Sequence, residues 1–289
     1  MKTPTDPTRM SVPAQVDALM PHEMAQLAER TGVKKAEQDW HRLLALSALA
    51  GAFVAFGATF AAAVTAGADG APEGLVLLAG GLAFTLAYVL AIVGGAELFT
   101  TNNLMVMAWA HGRLPLRRLF RAWGIVFVGN FIGAAGMAAL LILSERHEEV
   151  SGGLGGKLLS TAHQINDLGA LEALLLGILG NSLLCLGVWL TYSARSTVDR
   201  ILALTPPVAA FYVLGLEHAI AVMFYLPCAT MISLFADAQF WAVTDYQPLW
   251  VSPFDFLRVL VPVTIGNVLG GGALVALIYW FVYLQPARN

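Results

Sequence analysis

Between Ile201 and Ala236 lie 36 residues in which the only members of the Asp, Glu, Lys, Arg and His set are two neighbours, Glu217 and His218. Neither flank makes a good membrane span alone: residues 201–216 number 16. At ~1.5 Å rise per residue that run falls short of a ~30 Å hydrocarbon core. The whole stretch is long enough, so the acid–histidine pair sits near the middle of one interrupted crossing. Ionisable groups at that depth are costly unless they face protein or water, and their default reading is functional. A second interruption occurs earlier, where Gly94-Gly95-Ala96-Glu97-Leu98-Phe99-Thr100-Thr101-Asn102-Asn103 breaks an apolar run. Two broken helices in corresponding halves of a chain point to a transport site.

Composition agrees. Hydrophobic residues make up 58% and charged residues 12% of the chain, against ~25% charged in typical soluble domains. Uncharged runs of spanning length cover residues 43–68, 74–96, 122–144, 173–194 and 259–287. With the interrupted run 201–236, six transmembrane helices are expected, and an all-α integral membrane fold. The first 42 residues are polar and charged, so no signal peptide is expected. Within them Val16, Leu19, Met20, Met24 and Leu27 have helical spacing, which predicts a short cytosolic or interfacial helix. The chain thus divides into an N-terminal segment, 1–40, and a six-span pore domain, 41–289.

Basic residues set the orientation. Lys2, Arg9, Arg30, Lys34, Lys35 and Arg42 precede the first span, Arg113, Arg117, Arg118 and Arg121 follow the second, Arg195 and Arg200 follow the fourth, and Arg288 ends the chain. That is 13 of 16 basic residues on one side, which the positive-inside bias makes the cytoplasm, with both termini there. The opposite loops carry Asp69, Glu73, Glu145, Glu148, Glu149, Asp167, Asp237 and Asp245, with Arg146, Lys157 and Arg258. Trp40, Trp109, Trp123 and Trp189 fall near span ends and are expected to form an aromatic belt. Cys185 and Cys228 lie inside spans without metal or disulfide spacing and read as small core residues. A net charge of −3 gives no basis for a nucleic-acid partner. No cofactor motif, metal-ligand cluster or nucleophile elbow is present, so no cofactor and no enzyme are expected, a membrane enzyme built on Glu97, Glu217 and His218 being the remote alternative.

The halves repeat one order. Gly95-Ala96-Glu97 is followed 34 residues later by Gly129-Asn130-Phe131-Ile132-Gly133, and Gly215-Leu216-Glu217 is followed 51 residues later by Gly266-Asn267-Val268-Leu269-Gly270. Each half reads as a plain span, a broken span with G-x-E and a span with G-N-x-x-G, over about 41–144 and 170–285. Three spans is an odd number, so the copies are expected to be inverted, with a pore along their interface. Gly129, Gly133, Gly136, Gly266, Gly270, Gly271 and Gly272 are expected to let helices approach closely. Asn130, Asn181 and Asn267 need partners at that depth, either a neighbouring helix or a polar lumen. Glu97 and Glu217 read as clamps, each carboxylate capping backbone N–H groups freed by its break, or as direct contacts to a solute. Of six histidines His218 alone lies in mid-membrane, and a functional role is expected for it.

Longer stretches carry a resemblance. Gly95 to Thr100, Gly215 to Phe224, Val263 to Asn267, Asn181 to Trp189, Thr191 to Ser196 and Gly32 to Ala36 resemble signatures of the formate/nitrite transporter family, the formate-channel branch most of all. The resemblance runs from about Pro21 to Leu284. It implies an aquaporin-like fold assembled as a homopentamer in the inner membrane, each protomer with its own pore, although the chain has no Asn-Pro-Ala triplet. By the same resemblance His218 is the central pore histidine and Thr100 its hydrogen-bonding threonine. Asn181 and Asn267 match pore asparagines, and Lys35 a lysine at the cytoplasmic mouth. Phe84, Leu98, Phe99, Leu184 and Phe211 match apolar positions that narrow the pore. The chain departs from the family at Tyr88, where leucine is usual at a constriction, at Val222 in place of asparagine, and at Ile165 in place of an outer-mouth lysine, Lys157 being the nearest basic residue.

The chemistry is arguable from the residues. A small monocarboxylic acid, with a pKa of roughly 3 to 4, is almost wholly anionic in water. Carrying that anion through an apolar constriction uncompensated costs many kcal/mol. Broken-helix N-termini and Lys35 attract it. His218, of a residue type that titrates near ~6.5, is the mid-membrane group able to lend or relay a proton. The expected function is therefore permeation of a small monovalent anion, formate first, with nitrite, hydrosulfide or acetate as specificity alternatives.

Overall fold

The computed structural model describes residues 18–68, 70–148 and 153–285. Lys2, Arg9, Val16, Asp69, Glu149 and Arg288 lie outside the described residues. Five helices are long and apolar enough to cross a bilayer. They are α2 (Trp40–Thr65), α3 (Glu73–Tyr88) continued by a π turn to Val93, α5 (Leu116–Leu143), α7 (Ala170–Ser193), and α11 (Pro253–Asn267), which runs on through a π segment into α12 (Ile278–Tyr283). The stretch expected as the remaining span is divided between α8 (Thr197–Val213) and α9 (Ala219–Phe235), each 17 residues long. Helices begin earlier than the uncharged runs predict, α5 by six residues and α11 by the same number. The reason is local: their first turns carry charged residues, Arg117, Arg118 and Arg121 in α5 and Asp255 and Arg258 in α11, which a search for uncharged runs excludes.

Close backbone approach organises the packing. A Cβ on Gly133 would lie 1.8 Å from the Ala48 carbonyl oxygen, and one on Gly51 would lie 2.0 Å from that of Asn130, so α2 and α5 touch main chain to main chain. In the other half a Cβ on Gly266 would meet Leu174 O at 2.3 Å and one on Gly270 would meet Ile178 O at 2.2 Å, which joins α7 to α11 in the same manner. The expectation for the glycines thus holds, except at Gly136, where a Cβ meets nothing within 4 Å. Helices α3 and α8 meet across the centre, Gly81 lying against Ala209. Helix α9 is buried without interruption from Ala219 to Leu226 and packs against α2, α5, α6 (Gly153–Asn166) and α11.

Helix α1 (Pro21–Ala36) is no free interfacial helix. Its inward face is Met24, Ala25, Ala28, Gly32 and Ala36, whereas Met20 and Leu27, expected on the apolar side, are exposed. Gly32 sits against Met105 of the short 3-10 turn Thr101–Met105, which α4 (Val106–Ala110) continues. Among the ties that hold α1 down are His22 Nδ1 to Tyr283 O at 2.8 Å, Glu29 to His111 at 2.7 Å, and Glu29 to Arg113 at 3.3 Å. The aromatic belt needs correction as well. Trp40 and Trp109 are exposed, but Trp123 is buried with its Nε1 donating to Asn102 O, and Trp189 is buried, stacked on Tyr279. Proximity to a span end does not distinguish an indole turned to lipid from one turned inward.

Gly133→Ala is expected to lower the apparent melting temperature of the detergent-purified protein, at a cost of about 1–3 kcal/mol from the forced separation of α2 and α5. Gly136→Ala, with nothing near its new methyl group, is expected to leave it within error.

Candidate functional site: two helix breaks around His218

The two breaks end their helices by the same device. Gly95 takes φ 83°, and the Ala96 N–H returns to Ala91 O at 2.8 Å. Gly215 takes φ 59°, and the Leu216 N–H returns to Phe211 O at 3.2 Å. A left-handed residue followed by this long-range closure is how a helix satisfies its last carbonyls, and glycine adopts it without strain. The non-helical stretches are residues 94–100 and 214–218. The first begins at Gly94, where the sequence places it, and finishes before Asn103 because residues after Thr100 rewind into a 3-10 turn.

Asparagines clamp both breaks. Asn130 Oδ1 accepts the Phe99 N–H at 2.9 Å, while its Nδ2 donates to Ser47 O at 2.7 Å and to Glu97 O at 2.9 Å. Asn267 Oδ1 accepts the Ala219 N–H at 2.9 Å, and its Nδ2 donates to Gly177 O at 2.9 Å and Glu217 O at 3.2 Å. Each amide joins the plain helix of its half to both sides of the break. Of the two readings open for Asn130 and Asn267, the helix-partner one describes the contacts observed. The clamping role expected for Glu97 is corrected: its carboxylate turns to Lys35 Nζ at 2.9 Å and Asn102 Nδ2 at 3.0 Å rather than to freed amides. The Glu217 carboxyl lies against the His218 backbone N–H, nearer the expected cap.

His218, fully buried, is the N-cap of α9, where Nδ1 accepts the Ala221 N–H at 3.3 Å. That contact assigns the proton of the neutral ring to Nε2. Nε2 in turn faces Thr100 Oγ1 at 2.8 Å and Tyr88 Oη at 3.0 Å. The two breaks therefore meet side chain to side chain. Thr100 is held from behind, because its carbonyl accepts Asn181 Nδ2 at 3.1 Å and the Cys185 thiol at 3.4 Å. Asn181 Nδ2 also reaches Asn267 O at 2.7 Å, so this amide braces the breaks. Phe211 lies edge-on to His218 and stacks on Phe84, with centroid distances of 6.2 and 5.9 Å. Leu98 and Leu184 are fully buried. Phe99 points elsewhere, against Phe127 and Trp123 of α5.

A cavity approaches this centre from each face. The one beside α1, about 480 Å³, is lined by Lys35, Glu97, Thr101, Arg195 and Arg200 among others. The opposite one, about 180 Å³, is lined by Phe84, Phe211, Glu217, Lys157 and Ile165 among others. His218, Tyr88, Thr100, Leu98 and Leu184 line neither cavity. Val222 and the asparagines Asn181 and Asn267 lie outside both linings too. Sequence reasoning missed Asn102, Arg195 and Arg200 at the α1-side mouth. Asn102 had a signal, as a third amide in the interrupted run; the arginines were read for orientation alone.

The α6-side cavity owes its shape to a packed corner. Helix α6 (Gly153–Asn166) carries Lys157 and Ile165, and its Gly155 sits against His147 O and the Phe240 ring. His147 is buried, with neither ring nitrogen hydrogen-bonded, and Glu148 Oε1 is 3.5 Å away. Burial holds its pKa below the ordinary 6.5, against the opposing pull of Glu148, Glu145 and Asp237.

With this geometry in view, comparison with known proteins is decisive. Residues 22–281 match the family model of the formate/nitrite transporter. The chain belongs to the formate/nitrite transporter family. It is 39% identical over 274 residues to the formate channel FocA of Escherichia coli K12, which covers 93% of this chain and 96% of that one. It is 33% identical to the formate channel FocA of Haemophilus influenzae over 259 residues, covering 88% and 91%. Among solved structures it is similar to a pentameric formate channel with formate bound, with TM-score 0.79, 36% identity, 85% of this chain and 98% of that chain. It is therefore a multi-pass membrane protein of a channel family, and not of an enzyme family.

Two outcomes follow from this geometry. Asn130→Ala and Asn267→Ala each strand a buried amide N–H and the carbonyl of Glu97 or Glu217, while Ser47 O and Gly177 O keep their helical bonds, at roughly 1–3 kcal/mol per stranded group. Both variants are expected to melt well below the wild-type protein and to be cleaved faster by thermolysin, whereas Val222→Ala is expected to lack that susceptibility. At His147 the sign is opposite to that of an ion-paired histidine. The unfolded chain takes up a proton near pH 6.5 while the folded one resists it, so stability is full above that pH and declines as pH falls below it. Melting measured at about pH 7.5 and about pH 5.5 is expected to show a smaller acid loss in His147→Phe than in wild type.

Proposed function

We propose that this chain forms a pore for formate and like-sized monovalent anions, one pore per protomer of a homopentamer in the cytoplasmic (inner) membrane. The likeness to formate channels, one of them pentameric with formate bound, supports that reading. The observation that carries it is the polar partition: His218 Nε2, Thr100 Oγ1 and Tyr88 Oη converge within 3.0 Å of the ring nitrogen, between two cavities that open toward opposite ends.

The architecture we propose has six crossings in two inverted halves, about 41–144 and 170–285, behind an N-terminal segment of residues 1–40, with spans two and five broken. The matched glycine closures and matched asparagine clamps support it. Both termini are cytoplasmic in this reading. The α1-side face also carries Arg113 and Arg118, each paired with α1, as the positive-inside bias requires.

An anion is drawn to the cytoplasmic mouth by Arg200, Arg195 and Lys35, and to the other mouth by Lys157. The Lys35 charge is shared with Glu97, so the mouth attracts anions without binding them tightly. At the partition Leu98, Leu184, Phe84 and Phe211 exclude water, and the anion meets the Nε2–H and hydroxyl donors in its place. A proton added to the ring enters at Nδ1 and displaces the Ala221 N–H, so proton relay through His218 is coupled to opening of the first turn of α9.

His218→Phe keeps the ring volume and removes both nitrogens. In proteoliposomes loaded with a pH gradient, it is expected to abolish pH-dependent formate uptake while the oligomer elutes normally. A normal oligomer with wild-type uptake and pH profile would remove His218 from the mechanism.

A further inference from the structure

The proton inventory at the partition is unbalanced, and the imbalance singles out Tyr88. His218 Nδ1 accepts the Ala221 N–H, so Nε2 bears the ring proton and has no lone pair to offer. Three polar atoms then share three protons: Nε2–H, the Thr100 hydroxyl and the Tyr88 hydroxyl. The Nε2–H points to Thr100 Oγ1, the shorter contact at 2.8 Å. The Tyr88 hydroxyl, 3.0 Å from that nitrogen, then faces a donor and finds no acceptor in it. Tyr88 itself is fully buried, and the Phe211 ring lies beside the same imidazole. An uncommitted donor in such a place is unfavourable until an acceptor arrives.

We propose that Tyr88 is the specificity-determining residue of this pore. Its unmatched hydroxyl hydrogen-bonds a small oxyanion beside His218 and so favours carboxylates and their like over monovalent anions that accept hydrogen bonds poorly. The inference rests on the proposed function and adds the substrate class. A leucine at this position would supply bulk but no donor. Tyr88 narrows the passage as leucine does and adds a hydrogen bond to the oxyanion that leucine lacks.

The test compares formate with bromide, an anion of similar bulk and weaker acceptor strength. Initial influx of each is measured into proteoliposomes holding equal amounts of wild type, Tyr88→Phe or Tyr88→Leu oligomer. Tyr88→Phe keeps the ring and loses only the hydroxyl, and is expected to lower the formate-to-bromide ratio roughly tenfold, the worth of one hydrogen bond to a charged group. Tyr88→Leu is expected to lower it similarly and to admit acetate faster, because ring volume is lost as well. If bromide enters with none of the proteins, the formate rate per oligomer decides by the same margin. Wild-type vesicles that take up no formate would overturn the proposed function. Wild-type vesicles that do, alongside Tyr88→Phe vesicles with unchanged ratio and unchanged formate rate, would overturn the role of Tyr88 alone.

Discussion

Everything at the centre of this protein depends on satisfying the peptide groups that a broken helix leaves bare at membrane depth. Neither water nor lipid can do it there. An asparagine amide is suited to the task because it mimics a peptide unit, with one acceptor and two donor hydrogens. Asn130 offers its oxygen to one N–H and its two hydrogens to two carbonyls, and Asn267 repeats the pattern. A carboxylate accepts only, so it could satisfy the amide but neither carbonyl. That difference explains why Glu97 is left for Lys35.

The clamp in turn dictates the packing around it. An amide side chain spans only a few ångströms, so the plain helix and the clamping helix of each half must run backbone against backbone. Small residues at Gly51, Gly129 and Gly133, and at Gly177, Gly266 and Gly270, make that approach possible. The halves are then joined through shared acceptors: Asn267 O receives amides from both Asn103 and Asn181. His218 inherits its position from this scaffold, being the cap of a helix whose first residue, Ala219, is itself held by Asn267.

Much of this was legible in the sequence because the strongest signals are local. An acid–histidine pair in a long apolar run marks a mid-membrane break, and a glycine two residues before each acid marks how the helix stops. Paired G-N-x-x-G motifs named the asparagines, although not their task. What stayed hidden depends on residues far apart in the chain. The sequence offers Lys35 as a mouth lysine and Glu97 as a cap or a solute contact, and they are partners across 62 positions. The resemblance puts Phe99 among the residues that narrow the pore, yet its ring packs against Phe127 and Trp123 of α5. Helical spacing found α1, but the face it buries was decided by where the re-entrant turn lies, and the uncharged runs missed helix starts that hold interfacial charge.

The separation of clamps from partition has an evolutionary corollary. The groups that hold the backbone are Asn130, Asn267 and Asn181, whereas Tyr88, Phe84 and Phe211 project from helices already complete without them. A change at one of those three leaves every backbone hydrogen bond of the breaks in place. In the pore proposed here, lineages can therefore drift from one solute to another by single substitutions that leave the clamps of the breaks intact, so long as three amides are inherited unchanged.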